Sequence, residues 1–261
     1  MTSSATDSRS SEALKGKLAL ITGCTGGIGH ATALRLAGVG CSIAVHYNSA
    51  QSIAVELAAK LRGLGVRAAS FQADLSSYDG VRALHAAVVS SLGNPDILFN
   101  NAGVTTKVIG ADGNIEDISP EAFEMTWRTN TGTHYLLTQL CIPHMVSQKF
   151  GRIIFCSSVA AGTGGVIGPH YASSKSAMHG LVHWIASRYA KDGLTCNAVA
   201  PALITETTMF ANPKEELRAR IPVGRFGVPD EIASVIELLI TNAYLTNKII
   251  VADGGWTPSA F

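Results

Sequence analysis

The chain has 261 residues, is 47% hydrophobic and sets 20 basic against 19 acidic side chains, for a net charge of +1. That balance, with no Lys/Arg cluster and no apolar run of the roughly 18–20 residues a membrane helix needs, argues against nucleic acid and membranes as partners. The cysteines (Cys24, Cys41, Cys141, Cys156, Cys196) are odd in number, form no CxxC pair and sit in apolar runs. They read as reduced thiols of a cytoplasmic protein, not as a disulfide framework.

Residues 1–14 are rich in Ser and Thr, lack an apolar signal region, and are expected to form a disordered tail. No linker or repeat interrupts residues 15–261, which read as one domain. Lys17–Thr22 has the length and apolarity of a buried strand, and helical spacing follows from Gly27 to Leu36. Strand candidates continue at 41–47, 66–73, 96–100, 151–157, 194–199 and 249–252. Helical stretches lie between them at 50–64, 78–92, 120–148, 171–191 and 229–240.

This alternation predicts an α/β, Rossmann-type doubly wound parallel sheet of about seven strands with helices on both faces. Ligands of such sheets sit beyond the carboxyl ends of the strands, so the residues just after each strand are the ones to inspect.

The first strand runs into Thr22-Gly23-Cys24-Thr25-Gly26-Gly27-Ile28-Gly29, with Gly23, Gly27 and Gly29 in TGxxxGxG spacing. Small residues there allow a tight turn and a close approach of pyrophosphate to a helix N-terminus. The same residues would also serve a strand-to-helix turn without a ligand. The second strand ends His46-Tyr47-Asn48-Ser49, with no acid to hold an adenosine ribose and no Arg or Lys to hold a 2′-phosphate. Asn48 and Ser49 could donate to such a phosphate, so NADP(H) is favoured, with NAD(H) the alternative. Asp74 could accept from an adenine amino group or cap the helix starting near Ser76. Asn100-Asn101-Ala102-Gly103 could support a backbone approach to the cofactor or a simple turn.

Tyr171 and Lys175 are four residues apart at a helix start, hence on one face. Ser158 lies just beyond the strand 151–157, so three polar groups gather where a carbonyl could sit. His179 and His183 have a metal-compatible spacing but no acidic or Cys partner nearby in sequence, and no metal is expected. No GxSxG surrounds Ser158, which argues against a serine hydrolase. The segments 105–119 and 203–225 are the least patterned, and are where substrate selection and a mobile lid are expected.

TGCTGGIG, NNAG, Asn130 in Arg128-Thr129-Asn130, Ser158, YASSK and Asn197-Ala198-Val199-Ala200-Pro201 occur in this order between Gly16 and Asp253-Gly254-Gly255. In this combination the chain resembles the short-chain dehydrogenase/reductase family. Pro222-Val223-Gly224-Arg225-Phe226-Gly227 is similar to the segment after the substrate lid in the 3-oxoacyl-carrier-protein-reductase-like branch.

The resemblance implies a catalytic set of Asn130, Ser158, Tyr171 and Lys175. Ser158 would bond the substrate oxygen and Tyr171 would give it a proton. Lys175, with the oxidised nicotinamide, would lower the Tyr171 pKa and hold the nicotinamide ribose, while Asn130 would position a water. Cofactor contacts are implied for Gly23, Thr25, Gly27, Ile28 and Gly29, and for Tyr47, Asn48 and Ser49. They are implied as well for Asp74, Leu75, Asn101, Ala102, Gly103, Tyr171, Lys175, Pro201 and Ile204.

Ala202 stands where the family often has Gly, and which of Thr205 and Thr207 reaches the phosphates is open. The expected function is reduction of a ketone or 3-oxoacyl group by NADPH, in a homotetramer or homodimer. An NAD-linked alcohol or polyol dehydrogenase and an idle dinucleotide-binding regulator are the rival readings.

Overall fold

The computed structural model describes residues 14–210 and 215–258. The expected tail therefore lies outside the described residues, apart from its last member. Leu14 is 2% exposed and packs with Ala37 and Cys41 in the core, so the boundary falls before it.

Seven strands form one parallel sheet: β1 (Leu18–Ile21), β2 (Ser42–Tyr47), β3 (Ala68–Gln72), β4 (Ile97–Asn100), β5 (Gly151–Cys156), β6 (Leu194–Pro201) and β7 (Lys248–Ala252). Their order is β3-β2-β1-β4-β5-β6-β7, and every pairing is parallel. β1 pairs with both β2 and β4, so the chain reverses its direction of winding there. The crevice above β1 and β4 is the ligand position of a doubly wound sheet.

The period-2 geometry of β1 explains the two layers. Ala19 and Ile21 face a cluster with helices α1 (Gly27–Gly38), α2 (Gln51–Gly63) and, further along the chain, the helix Pro229–Thr241. Leu18 and Leu20 face the other side, against α3 (Tyr78–Leu92) and two later helices, Thr133–Ser147 and Pro169–Tyr189. Each fully buried Leu or Ile contributes about 1.5–3 kcal/mol, and both layers consist mainly of such side chains.

The expected helix 120–148 is divided. α4 covers Pro120–Trp127, a π turn covers Arg128–Gly132 and α5 covers Thr133–Ser147. The widened turn turns Asn130 out of the helix toward other segments, and such turns recur at functional sites. α6 is the short turn Ala160–Thr163, α7 the long helix Pro169–Tyr189, α8 the turn Glu215–Arg218 and α9 the helix Pro229–Thr241.

Pro at the first position of α7, where its missing N–H costs nothing, starts that helix two residues earlier than expected. Its buried stripe runs Tyr171, Lys175, Met178, Val182, Ile185. The face that packs on the sheet at one end thus presents Tyr171 and Lys175 at the other. Among the described residues no helix is long and apolar enough to cross a membrane.

Candidate active site

The glycine turn after β1 is held from below. Gly23 adopts the left-handed φ of +66°, and the Thr22 hydroxyl accepts from the N–H groups of Asn101 and Ala102, each at 2.9 Å. The Asn101 amide donates to the Thr22 carbonyl at 2.8 Å and the Gly23 carbonyl at 3.2 Å. The Asn101 amide nitrogen is therefore committed to the scaffold. A side chain at Gly29 would put its Cβ 2.5 Å from the Gly23 carbonyl oxygen, and one at Gly27 would strike the Glu206 carbonyl. Only glycine fits either place.

No side chain caps α1 at Gly26, and its first turn carries no acid. The N–H groups around Gly27, Ile28 and Gly29 are left for an anion, which the helix dipole favours. Thr25 lies half-buried beside them.

At the adenosine side, Tyr47 is buried, while Asn48 and Ser49 are exposed at the end of β2. Asp74 is not the cap of α3. It turns onto the N–H of Ser76 at 2.8 Å, and Ser77 caps the helix by accepting from Gly80 at 3.0 Å. Asp74 is exposed at the turn and Leu75 is buried beneath it.

The reacting end lies beyond β4, β5 and β6. Tyr171 is 6% exposed and Lys175 3%. The Lys175 ammonium sits 5.6 Å from the Tyr171 ring centre and donates to the Cys156 carbonyl at 2.8 Å. No carboxylate pairs with it among the described ion pairs. Burial pulls its pKa below the usual lysine value. An ammonium has three donors, so two remain beyond the Cys156 bond. A ribose diol would supply two acceptors, and the donor set fits that group.

Burial also pushes the Tyr171 phenol up, helped by the nearby Cys156 and opposed by the neighbouring Ser158 hydroxyl. In the protein alone the shift is thus opposite to the downward one expected of a bound complex. Ser158 is half-buried and accepts from the Ala160 N–H at 3.2 Å.

Asn130 is fully buried. Its Oδ1 accepts from the Val104 N–H at 2.8 Å, and its Nδ2 donates to the Val104 carbonyl at 3.0 Å and to Ser174 at 3.1 Å. The amide is committed to the loop after β4. Gly103 closes the group: a Cβ there would lie 3.3 Å from Asn130 Oδ1 and 3.4 Å from Lys175 Nζ.

After β6, the Pro201 carbonyl accepts from Val159 and Ile204 bridges to Gly227. The Thr205 hydroxyl donates to Gly227 at 3.2 Å and that of Thr207 to Ile204 at 2.9 Å, so both donors are turned to the backbone.

His179 meets Ser157 at 2.8 Å and His183 meets Asn247 at 2.5 Å. No cluster of three metal-ligating side chains occurs among the described residues.

Residues 17–218 match the family described as short chain dehydrogenase. The chain belongs to that family. It is an NAD(P)-dependent oxidoreductase of the short-chain type, and its fold is the one the family's solved members share.

The enzyme is 35% identical to the L-rhamnose 1-dehydrogenase (NADP(+)) of Thermoplasma acidophilum, over 92% of this chain and 96% of that one. It is 34% identical to the 3-oxoacyl-[acyl-carrier-protein] reductase of Aquifex aeolicus, over 93% and 98%. The structure of an NADH-dependent reductase of alginate metabolism, A1-R′, superposes with a TM-score of 0.85 at 30% identity, covering 95% of this chain and 99% of that one.

Sequence reasoning missed three histidines of this oxidoreductase. His170 ties the start of α7 to the Thr105 carbonyl at 2.9 Å. His46 holds the glycine turn. His134 lies buried one turn after Asn130, with neither ring nitrogen hydrogen-bonded; the Ala102 carbonyl faces it without closing a bond of normal geometry. The available signal was position alone, since each stands one to four residues from a motif.

Proposed function

We propose that the enzyme reduces a ketone or 3-oxoacyl group to a secondary alcohol with NADPH. The observation that carries this reading is the buried Tyr171–Lys175 pair, whose ammonium lacks a carboxylate and keeps two donors for a ribose. When bound, the nicotinamide supplies the hydride. Ser158 donates to the carbonyl oxygen and favours the charge developing there. Tyr171 passes its proton to the same oxygen. Lys175 orients the ribose and stabilises the phenolate left behind. Asn130 fixes Val104 and Ser174, which hold the loop after β4 and the start of α7 beside the reacting groups.

The end of β2 supports NADPH over NADH. Asn48 and Ser49 are exposed there, and no acid stands in that strand end to repel a 2′-phosphate. One relative is named for NADP(+), one structural neighbour for its complex with NADPH and another for NADH, and the local residues side with NADPH. The sugar-dehydrogenase relative favours a second reading, in which the same site oxidises a polyol or sugar.

A panel of ketones, 3-oxoacyl thioesters and sugars, followed at the nicotinamide absorbance with NADPH and NADH, tests both readings. Turnover of a carbonyl with higher kcat/KM for NADPH is expected. A strong NADH preference defeats the cofactor assignment, and turnover of alcohols alone defeats the reductase reading.

Self-association as a homodimer or homotetramer belongs to the same proposal. Phe123 and Met125 on α4, Tyr135 on α5 and Trp184 on α7 are exposed large apolar side chains that a second copy would cover. Five buried free cysteines support a cytoplasmic site of action.

A further inference from the structure

His46 has no role in the reaction just described, yet it is 2% exposed at the carboxyl end of β2, directly under the glycine turn. Its Nδ1 accepts from the Gly23 N–H at 3.0 Å, and its Nε2 faces the Ala73 carbonyl at 3.1 Å. Its own carbonyl accepts from the Cys24 N–H at 2.9 Å. A carbonyl cannot donate, so Nε2 carries the proton and Nδ1 offers its lone pair. One neutral tautomer satisfies both bonds at once. Burial takes the ring down to a pKa of about 4, which leaves it neutral near pH 7.

The Gly23 residue is thereby gripped from two sides. Asn101 holds its carbonyl and His46 holds its N–H. The His46 bond to the Gly23 N–H and the Asn101 bond to the Thr22 carbonyl fix the Thr22–Gly23 peptide plane, and the Asn101 bond to the Gly23 carbonyl holds the next one, at a residue with left-handed φ, where the chain has alternatives and glycine has no side chain to choose among them. Loss of the acceptor would leave a part-buried N–H unpaired, and the peptide would turn to find another.

We propose that His46 is a positioning residue for the dinucleotide: by accepting from Gly23 it holds the glycine turn in the shape that receives the pyrophosphate. The inference rests on the dinucleotide reading above, and goes beyond it by naming the group that shapes the binding turn without touching the ligand.

Two substitutions separate the two arms of the ring. His46→Asn places an amide oxygen near the position of Nδ1, keeping an acceptor for Gly23 and losing the bond to Ala73. His46→Gln reaches to the position of Nε2, keeping a donor for Ala73 and losing the acceptor. NADPH affinity is read by fluorescence titration, alongside cofactor KM, carbonyl KM, kcat and thermal melting.

His46→Gln should raise the NADPH Kd and cofactor KM about ten-fold, with kcat at saturating cofactor and carbonyl KM near wild type. His46→Asn should bind NADPH nearly as wild type does. Unchanged affinity in His46→Gln overturns the inference, as does an equal loss of affinity and melting temperature in both variants. Wild type binding neither NADPH nor NADH would instead defeat the dinucleotide reading itself, and this inference with it. Should His46→Gln not fold, ¹⁵N NMR of the wild-type imidazole decides: a protonated Nε2 with an accepting Nδ1 is expected, and a protonated Nδ1 overturns the proposal.

Discussion

The Lys175 ammonium is buried against the Cys156 carbonyl, 2.8 Å away, with no carboxylate among the described residues to pair with it. An unpaired buried charge opposes folding, so this residue is retained at a cost in stability. Lys175→Met should melt higher than wild type without cofactor, by about 1–3 kcal/mol. It should also lose at least about 100-fold in kcat/KM. The lysine pKa is depressed in the fold, so the unfolded chain binds the extra proton below its own pKa of about 10.4. Wild-type stability should therefore rise relative to Lys175→Met as pH climbs from the folded value toward the unfolded one. Thermal melts of both proteins across alkaline pH check the direction.

Gly29 touches both the turn and its support. A Cβ there would lie 2.5 Å from the Gly23 carbonyl oxygen and 2.9 Å from Asn101 Nδ2. Gly29→Ala should cost about 1–3 kcal/mol of stability by overpacking and weaken dinucleotide binding more than it lowers kcat. Denaturant melts with a cofactor titration measure the two effects separately.

Acid should destabilise the protein through buried histidines. Burial lowers the His134 pKa to about 3, with the Lys175 charge adding to it, and lowers His46 to about 4. Below about pH 6.5 the unfolded chain binds protons that these folded rings refuse, so stability falls as pH falls. Each ring accounts for on the order of 3 kcal/mol between about pH 6.5 and about pH 4. His134→Leu removes two unpaired buried nitrogens, so it should melt no lower at pH 7 and decline less steeply into acid. Melting temperatures at a series of pH values test both points; an equally steep decline would rule out His134 as a source.

Much of this arrangement could be read from the sequence. Alternating apolar runs predicted the seven parallel strands, because a strand covered on both faces has no polar alternation. Tyr171 and Lys175 were legible because their spacing of four is a helical neighbour distance.

The unread parts depend on contacts between distant segments. Asn130 breaks the helix 120–148 through bonds to Val104 and Ser174, which lie 26 and 44 residues away. Asn101 serves Thr22 and Gly23, 79 and 78 residues away, so its turn to the scaffold could not be inferred locally. His46 carries no mark of its own beyond its place near a motif. Leu14 looked like tail because its neighbours are Ser-rich and polar, yet its side chain is buried in the core.

In the proposed reaction Tyr171 delivers the proton while its neighbours only prepare the site. Burial raises the phenol in the free protein, so in the cofactor-free enzyme it stays protonated through neutral pH. Reduction, which needs the proton, should hold its kcat/KM across neutrality, and alcohol oxidation, which needs the phenolate, should rise with pH. The most direct measurement is the rate of NADPH-dependent carbonyl reduction by Tyr171→Phe, with NADPH affinity determined on the same sample. Affinity near wild type with turnover lowered by about 10²–10⁴-fold is the predicted result. A variant that binds NADPH and reduces the carbonyl at the wild-type rate would contradict the assignment of Tyr171 as proton donor.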